Sequence, residues 1–352
     1  MVKISDVAAL AGVSASAVSR VLSGDTTLRV SPATRERVIA AARDLAYVPN
    51  HAGRALRTSR SRTIALVVPD VTSAVFAELA SGAEAEAASR GLAIVLARAE
   101  RLTDGSDWLR QMVGEARIDG VILQLPDGPP GIDVETMALG GTPIVVINSG
   151  DHGPLSTVVL DDAGGIRTAV EHLLGLGHTQ LGFVGGHRSS ATGQRREAGF
   201  RAAIGEAGVP IEDRWITAFG YSGADGRAAI EALASRGSLP TALVVANLNA
   251  GLGVLAAIHA LDLRVPHDIS IVALHDVWYA DATWPPITTV RMPLRELGAA
   301  AVARLMEDDS TVTHAAVRSP EPLLVVRQST GNPRLNSGLT HRDNERSPHD
   351  QH

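Results

Sequence analysis

The sequence predicts an α/β protein: a small helical head followed by a core of two lobes, each built on a parallel sheet. Three observations predict it. Residues 1–62 read as short, capped segments of helical period, with material for only a small core of their own. From residue 63 onward, apolar runs alternate with helical stretches, the rhythm of strand–helix–strand units. The charge divides at the same place. Residues 1–62 hold ten Lys+Arg against four acids, a net +6, in a chain whose total is −6, so the remainder carries −12. A length of 352 residues and 45% hydrophobic content suit two or three structural units with ample core, although aromatics at 3% leave the packing to aliphatic side chains.

In the head, Ser5 is the expected N-cap of a first helix, with Val7, Leu10 and Ala11 on its apolar side and Gly12 closing it. Ser14 caps a second helix, where Val18, Val21 and Leu22 share one face. Ser23, Gly24 and Asp25 then supply turn chemistry. Ser31 caps a third helix with Pro32 at its first position, and Val38, Ile39, Ala42 and Leu45 are the expected buried side.

In the core, TIALVVPD (63–70) reads as a strand buried on both faces. A helical segment (76–90) follows, then strands begin at Ala93, Gly120 and Pro143. A second series is expected from Val158, continuing at Leu181, Trp215, Ala242 and Ile269. Two such lobes leave a crevice at the carboxyl ends of their strands, where open sheets bind ligands. Residues 332–352 are polar and aperiodic and read as a disordered tail. That tail lacks a leucine heptad, so a tail-mediated tetramer is not expected.

Two short helices joined by a tight turn make a helix-turn-helix candidate, and the start of its second helix would enter the major groove. With Val18, Val21 and Leu22 inward, Ala15, Ser16, Ser19 and Arg20 face outward. Arg20 can donate a bidentate pair to a guanine edge, and Ser16 can reach a base or phosphate. A basic head on an acidic body has the electrostatic layout of a DNA reader carrying a regulatory domain. A small helical bundle with a solvated basic face would show the same spacing.

The segments ISDVAALAGVSASAVSRVLSG (4–24), VSPATRERVIAAARDLAYVPN (30–50), RALRT (54–58), IALVVPDV (64–71), GHTQLGFVGG (177–186), REAGF (196–200) and PPITTVRMPLRELG (285–298) resemble the lactose-repressor family of bacterial transcription factors. The resemblance runs in family order to about residue 330. It implies a helix-turn-helix head at 1–47, a hinge at 48–62 and a periplasmic-binding-protein-like effector and dimerisation core at 63–331. Lobe one would take about 63–161 and 290–320, and lobe two about 162–289 and 321–331. It also implies a homodimeric repressor on double-stranded operator DNA. Ser5, Ser14, Asn50 and Arg54 would meet phosphates, while Leu56 would wedge into the minor groove. Gly53 stands where the family often has alanine; glycine costs about 0.8–1.0 kcal/mol in a helix, so hinge folding should lean more on DNA.

For the effector, the resemblance implies Phe76, Gln124, Asn148, Arg196, Tyr221, Asn247 and His275 as pocket residues. An arginine fork, amides and rings supply directional contacts against a stacking surface. Three positions depart from the family's acids: Asn148, Leu248 and His275, the last followed by Asp276. An arginine left without those acids would favour a sugar phosphate or sugar acid over a neutral sugar, unless Asp276 turns inward.

Other classes fit less well. Gly251-Leu252-Gly253 lacks the third glycine and the acid of a dinucleotide fingerprint, and no Gly-x-Ser-x-Gly elbow exists. The absence of cysteine excludes a disulfide framework and a thiol nucleophile. No catalytic residue, cofactor or metal is expected. A start of MVKISDVAAL without a signal-like pattern, and no long apolar run, point to a cytoplasmic protein without a membrane partner. The alternative is a two-lobed small-molecule binder or nucleotide-cofactor enzyme without DNA function.

Overall fold

The first helices wrap a small aliphatic core. The computed structural model describes residues 2–25, 27–48, 60–100, 108–115, 117–125, 141–150, 153–307 and 311–334. The chain falls into two compact units, Met1–Ser61 and Arg62–His352. In the first, α1 (Ile4–Ala11), α2 (Ala15–Leu22) and α3 (Pro32–Asp44) bury Val7, Val18 and Val38 completely, with Ala8, Ala11, Val21, Ala41 and Ala42 around them. Ser14 and Ser31 cap α2 and α3 as the sequence predicts.

Three details of the head differ from the sequence reading. The cap of α1 is Lys3, not Ser5, because the Asp6 carboxylate accepts the Lys3 N–H at 2.8 Å and starts the helix earlier. Leu10 is 56% exposed and Ile39 40% exposed. The buried stripes are Val7-Ala8-Ala11 and Val38-Ala41-Ala42, and each exposed residue sits at the stripe's edge, where so small a bundle has no neighbour to cover it. Gly12 ends α1 in the left-handed region at φ +67°, which reverses the chain towards α2 within two residues.

In the second unit, β1 (Thr63–Val68), α4 (Ala74–Ser89), β2 (Ala93–Arg98), α5 (Trp108–Gly114), β3 (Gly120–Leu123), β4 (Ile144–Ile147) and β5 (Ser156–Leu160) build the first lobe. The chain then crosses to the second lobe through α6 (Asp162–Gly175), β6 (Leu181–Gly185), α7 (Ala191–Glu206), β7 (Ile216–Ala218), α8 (Gly223–Ser235), β8 (Ala242–Val245), α9 (Leu248–Ala260), β9 (Ser270–Leu274) and β10 (Thr288–Arg291). It returns with α10 (Leu294–Leu305) and β11 (His314–Val317), then crosses once more to β12 (Leu323–Val325). The first sheet has the order β11-β5-β4-β3-β1-β2, and the second β12-β10-β9-β8-β6-β7. All pairings are parallel except β10 with β12.

The strand at Val158, expected to open the second series, is β5 of the first sheet, paired to β4 and β11. It is an apolar run like its neighbours, so periodicity could not assign it to a lobe. The Gly251-Leu252-Gly253 run lies inside α9, not at a strand-to-helix turn. A Cβ on Gly253 would stand 1.8 Å from the Gly223 carbonyl oxygen, so that glycine lets α8 and α9 approach closely. Among the described residues, no single helix is long and apolar enough to cross a membrane.

Candidate functional site

Ser14 fixes the start of α2: its Oγ accepts the Ala17 N–H at 3.1 Å. The cap leaves Ser14, Ala15 and Ser16 exposed around the first turn, with Ser19 and Arg20 half-buried beyond. Ser5, within the first turn of α1, is also exposed. Arg20 does not hang loose from the helix. Its Nε donates to Asp25 Oδ2 at 2.7 Å and its Nη2 to Thr27 Oγ1 at 3.0 Å. Asp25 Oδ1 in turn accepts the Thr27 N–H and hydroxyl at 2.8 and 2.7 Å. The Thr27 hydroxyl bond, together with Arg20, holds the Asp25 carboxyl well below the usual carboxylate range. The loop therefore grips the side edge of the guanidinium, and the end-on edge through Nη1 is the one suited to a nucleic-acid acceptor. Asn50, Arg54 and Leu56, with Gly53, lie outside the described residues.

The second site is built at the carboxyl ends of the core strands. Arg196, on α7, is 3% exposed and Asp162, at the start of α6, 1%. Arg196 Nε meets Asp162 Oδ1 at 2.8 Å, and Arg195 Nε meets Asp162 Oδ2 at 2.9 Å. Arg196 also donates to the Ala246 carbonyl at 2.6 Å and approaches His275 Nε2 at 3.0 Å, with its guanidinium 5.8 Å from the Tyr221 ring centre. Arg196 is thus a buried, braced residue with an acid beside it. The expectation of an arginine left without acids is corrected: Asp162, which sequence reasoning passed over, supplies one. Asp276 does not turn inward, since its carboxylate is taken by Arg327, Arg291 and Thr289.

Of the remaining pocket candidates, Asn247 follows Ala246, whose carbonyl Arg196 holds, and the Asn148 carbonyl accepts from Arg195 Nη2 at 3.4 Å. Asn247 caps α9, its Oδ1 accepting the Ala250 N–H at 2.8 Å, so its amide NH2 is what it can offer elsewhere. Asn148, held at φ +52°, accepts the Leu160 N–H at 3.2 Å and donates to Gln124 Oε1 at 3.4 Å. Phe76 and Tyr221 pack, partly buried, against one apolar cluster. Leu248 is fully buried in a different cluster, so its side chain serves the core of the second lobe. The lobes touch here. Thr192 Oγ1 donates to the Asn148 carbonyl at 2.5 Å, Arg195 Nη1 to the Ser149 carbonyl at 3.2 Å, and Asn249 Nδ2 to Ser73 Oγ at 3.2 Å. Thr192, Arg195, Asn249 and Ser73 were not singled out in the sequence; only the Arg195-Arg196 doublet on α7 hinted at them.

His275 is the unusual member. It is 3% exposed and sits at φ +71°, just past β9. Burial, reinforced by the Arg196 charge, pushes its imidazole well below the ordinary histidine value, so it is neutral. Because Arg196 can only donate, Nε2 must be the acceptor and the proton lies on Nδ1. That Nδ1 is buried and has no hydrogen-bond partner among the described residues.

Comparison with known proteins places this arrangement. Residues 3–50 match the family of bacterial regulatory proteins, lacI family, and residues 170–330 match the periplasmic binding protein-like domain. The chain is 32% identical over 336 residues to the HTH-type transcriptional repressor PurR of Photobacterium profundum, spanning 94% of this chain and 98% of that protein. A crystal structure of a LacI family transcriptional regulator from Mycobacterium smegmatis shares 37% identity at TM-score 0.69, covering 77% of this chain and 99% of its own. The Lac repressor dimer bound to operator and the anti-inducer ONPF is similar over 94% of this chain and 99% of its own, with 27% identity and TM-score 0.75.

Proposed function

The chain belongs to the lacI family of bacterial regulatory proteins, and on that premise we propose a sequence-specific DNA-binding repressor whose hold on its operator is set by a small molecule in the core. The observation that carries the DNA part is the first turn of α2. It is capped from within by Ser14, presents Ala15 and Ser16 to solvent, and is followed by an arginine buttressed by its own loop. Such a turn fits a major groove, with Arg20, Ser16, Ser19 and Ala15 nearest the bases and Ser5, Ser14, Asn50 and Arg54 on phosphates. Residues 48–62 serve as the hinge, and Leu56 opens the central minor groove.

A palindromic operator calls for two copies. Support for a homodimer comes from apolar surface that one chain leaves in water. Trp278 and Trp284 are 80% and 79% exposed, and Val95 and Leu96 lie exposed on β2, at the edge of the first sheet. The effector site is the cluster of Arg196, Tyr221, Asn247 and His275 with Gln124, Asn148 and Phe76. A ligand there binds groups from both lobes, so it favours one lobe arrangement over another and changes DNA affinity by that difference. Such a protein acts in the cytoplasm, beside the chromosome.

The test is selection of binding sites from a random duplex pool by the full chain. A repressor of this kind enriches a near-palindrome, and affinity for it falls steeply as salt rises. Recovery of unrelated sequences with one common affinity would refute the reading.

A further inference from the structure

We propose that His275 is the specificity-determining residue of the core site, and that its Nδ1–H binds an anionic oxygen, carboxylate or phosphate, of the effector. This rests on the reading of that cluster as the effector site. His275 Nδ1 is a buried donor that nothing among the described residues satisfies. An unpaired buried N–H costs free energy that a ligand acceptor would recover. Arg196 fixes the polarity: its Nη2 lies 3.0 Å from Nε2, which forces the proton to the far side of the ring. The orphaned atom is therefore a hydrogen-bond donor and cannot serve as an acceptor.

The surroundings agree in sign. Asn247 spends its carbonyl oxygen on the α9 cap, and Gln124 spends its own on Asn148, so both amides turn their NH2 groups to any further partner. The acid in the cluster, Asp162, is held by both Arg195 and Arg196. Asp276 is bound to Arg291 and Arg327, away from the site. Among the described residues, a ligand entering here meets N–H donors from His275, Asn247 and Gln124. Neutral sugar hydroxyls need acceptors for their own protons, whereas a carboxylate or phosphate only accepts.

The experiment uses full-length protein at fixed salt and follows thermal unfolding with a panel of sugar phosphates, sugar acids and their uncharged parent sugars. Wild type is compared with His275→Asn and His275→Asp. Both residues tolerate the left-handed backbone at 275. Asparagine can keep an N–H near the position of Nδ1, while aspartate places an acceptor there and pairs with Arg196. At hundredfold excess over its Kd, a phosphate or carboxylate member should raise Tm by about 5 °C in wild type. The shift should persist in His275→Asn and vanish in His275→Asp. Phosphates responding without the acids, or the reverse, identifies which anion the site takes. An uncharged parent that stabilises wild type as well as its anionic derivative overturns the proposal while leaving the effector site intact. So does an anion response that His275→Asp leaves unchanged. Silence of the whole panel in all three proteins overturns the effector-site reading, and this proposal with it.

Discussion

Head and core each carry an arginine–carboxylate pair, and the two pairs do different work. The side chains of Arg20 and Asp25 are 39% and 28% exposed, whereas those of Arg196 and Asp162 are 4% and 0% exposed. The first pair stands in water, where ion pairs add little to stability, so what it contributes is aim: Asp25 and Thr27 hold a guanidinium at the end of α2. The second is sealed, so losing either partner strands a buried charge. Its reach extends through Arg196 to the tautomer of His275. One chemistry thus orients a reader on the surface and fixes the polarity of a site in the interior.

The strongest way to break that contrast is Asp162→Asn. It leaves Arg195 and Arg196 facing a neutral amide, and the core should lose about 3–5 kcal/mol in urea unfolding. Asp25→Asn, by comparison, should leave unfolding of both units close to wild type. Equal losses from the two substitutions would erase the distinction. Arg20→Ala comes next. It should cost about 1–3 kcal/mol of operator affinity per half-site and relax preference at one base position. Core unfolding should not change, and equal weakening on specific and random duplex would reduce Arg20 to a phosphate contact.

Acid separates the units further. Burial holds His275, His178 and His172 below the ordinary histidine value near 6.5. The unfolded chain therefore takes up protons that the native core refuses. Core stability is complete above about pH 6.5 and declines as pH falls below it. The depressed Asp25 carboxyl works in a lower window: its stabilisation is present above the usual carboxylate value and is lost only below it. Urea midpoints at pH 7.5 and 5.5 should move for the core transition and stay for the head. His275→Asn should remove part of the core shift. The smallest expected effect lies in the hinge, where Gly53→Ala should tighten operator binding by about 0.4–1 kcal/mol, read as a two- to fivefold lower Kd.

Much of this was legible in the sequence. Helix caps at Ser14 and Ser31 and the strand rhythm from Thr63 depend on local chemistry, which a sequence displays directly. The residues that escaped depend on distant neighbours. Asp162 reads as a polar residue after a strand until α7 brings Arg195 and Arg196 against it from 33 and 34 positions away. His275 could be seen to replace an acid, but its tautomer follows from Arg196, 79 residues earlier. The strands β10, β11 and β12 were missed because β10 and β12 follow their preceding strands with no α-helix between, outside the strand–helix rhythm, while β11 is largely exposed, so all three owe their place to sheet pairing.

The claim that joins the two units is that ligand in the core resets the head's hold on DNA. It is tested by titrating the selected operator duplex with full-length protein, with and without a saturating amount of the anion that stabilises it, following fluorescence anisotropy at constant salt. The account predicts a change in Kd of about 5- to 150-fold, in either direction, which His275→Asp abolishes. An operator Kd that stays the same with the anion bound would contradict it.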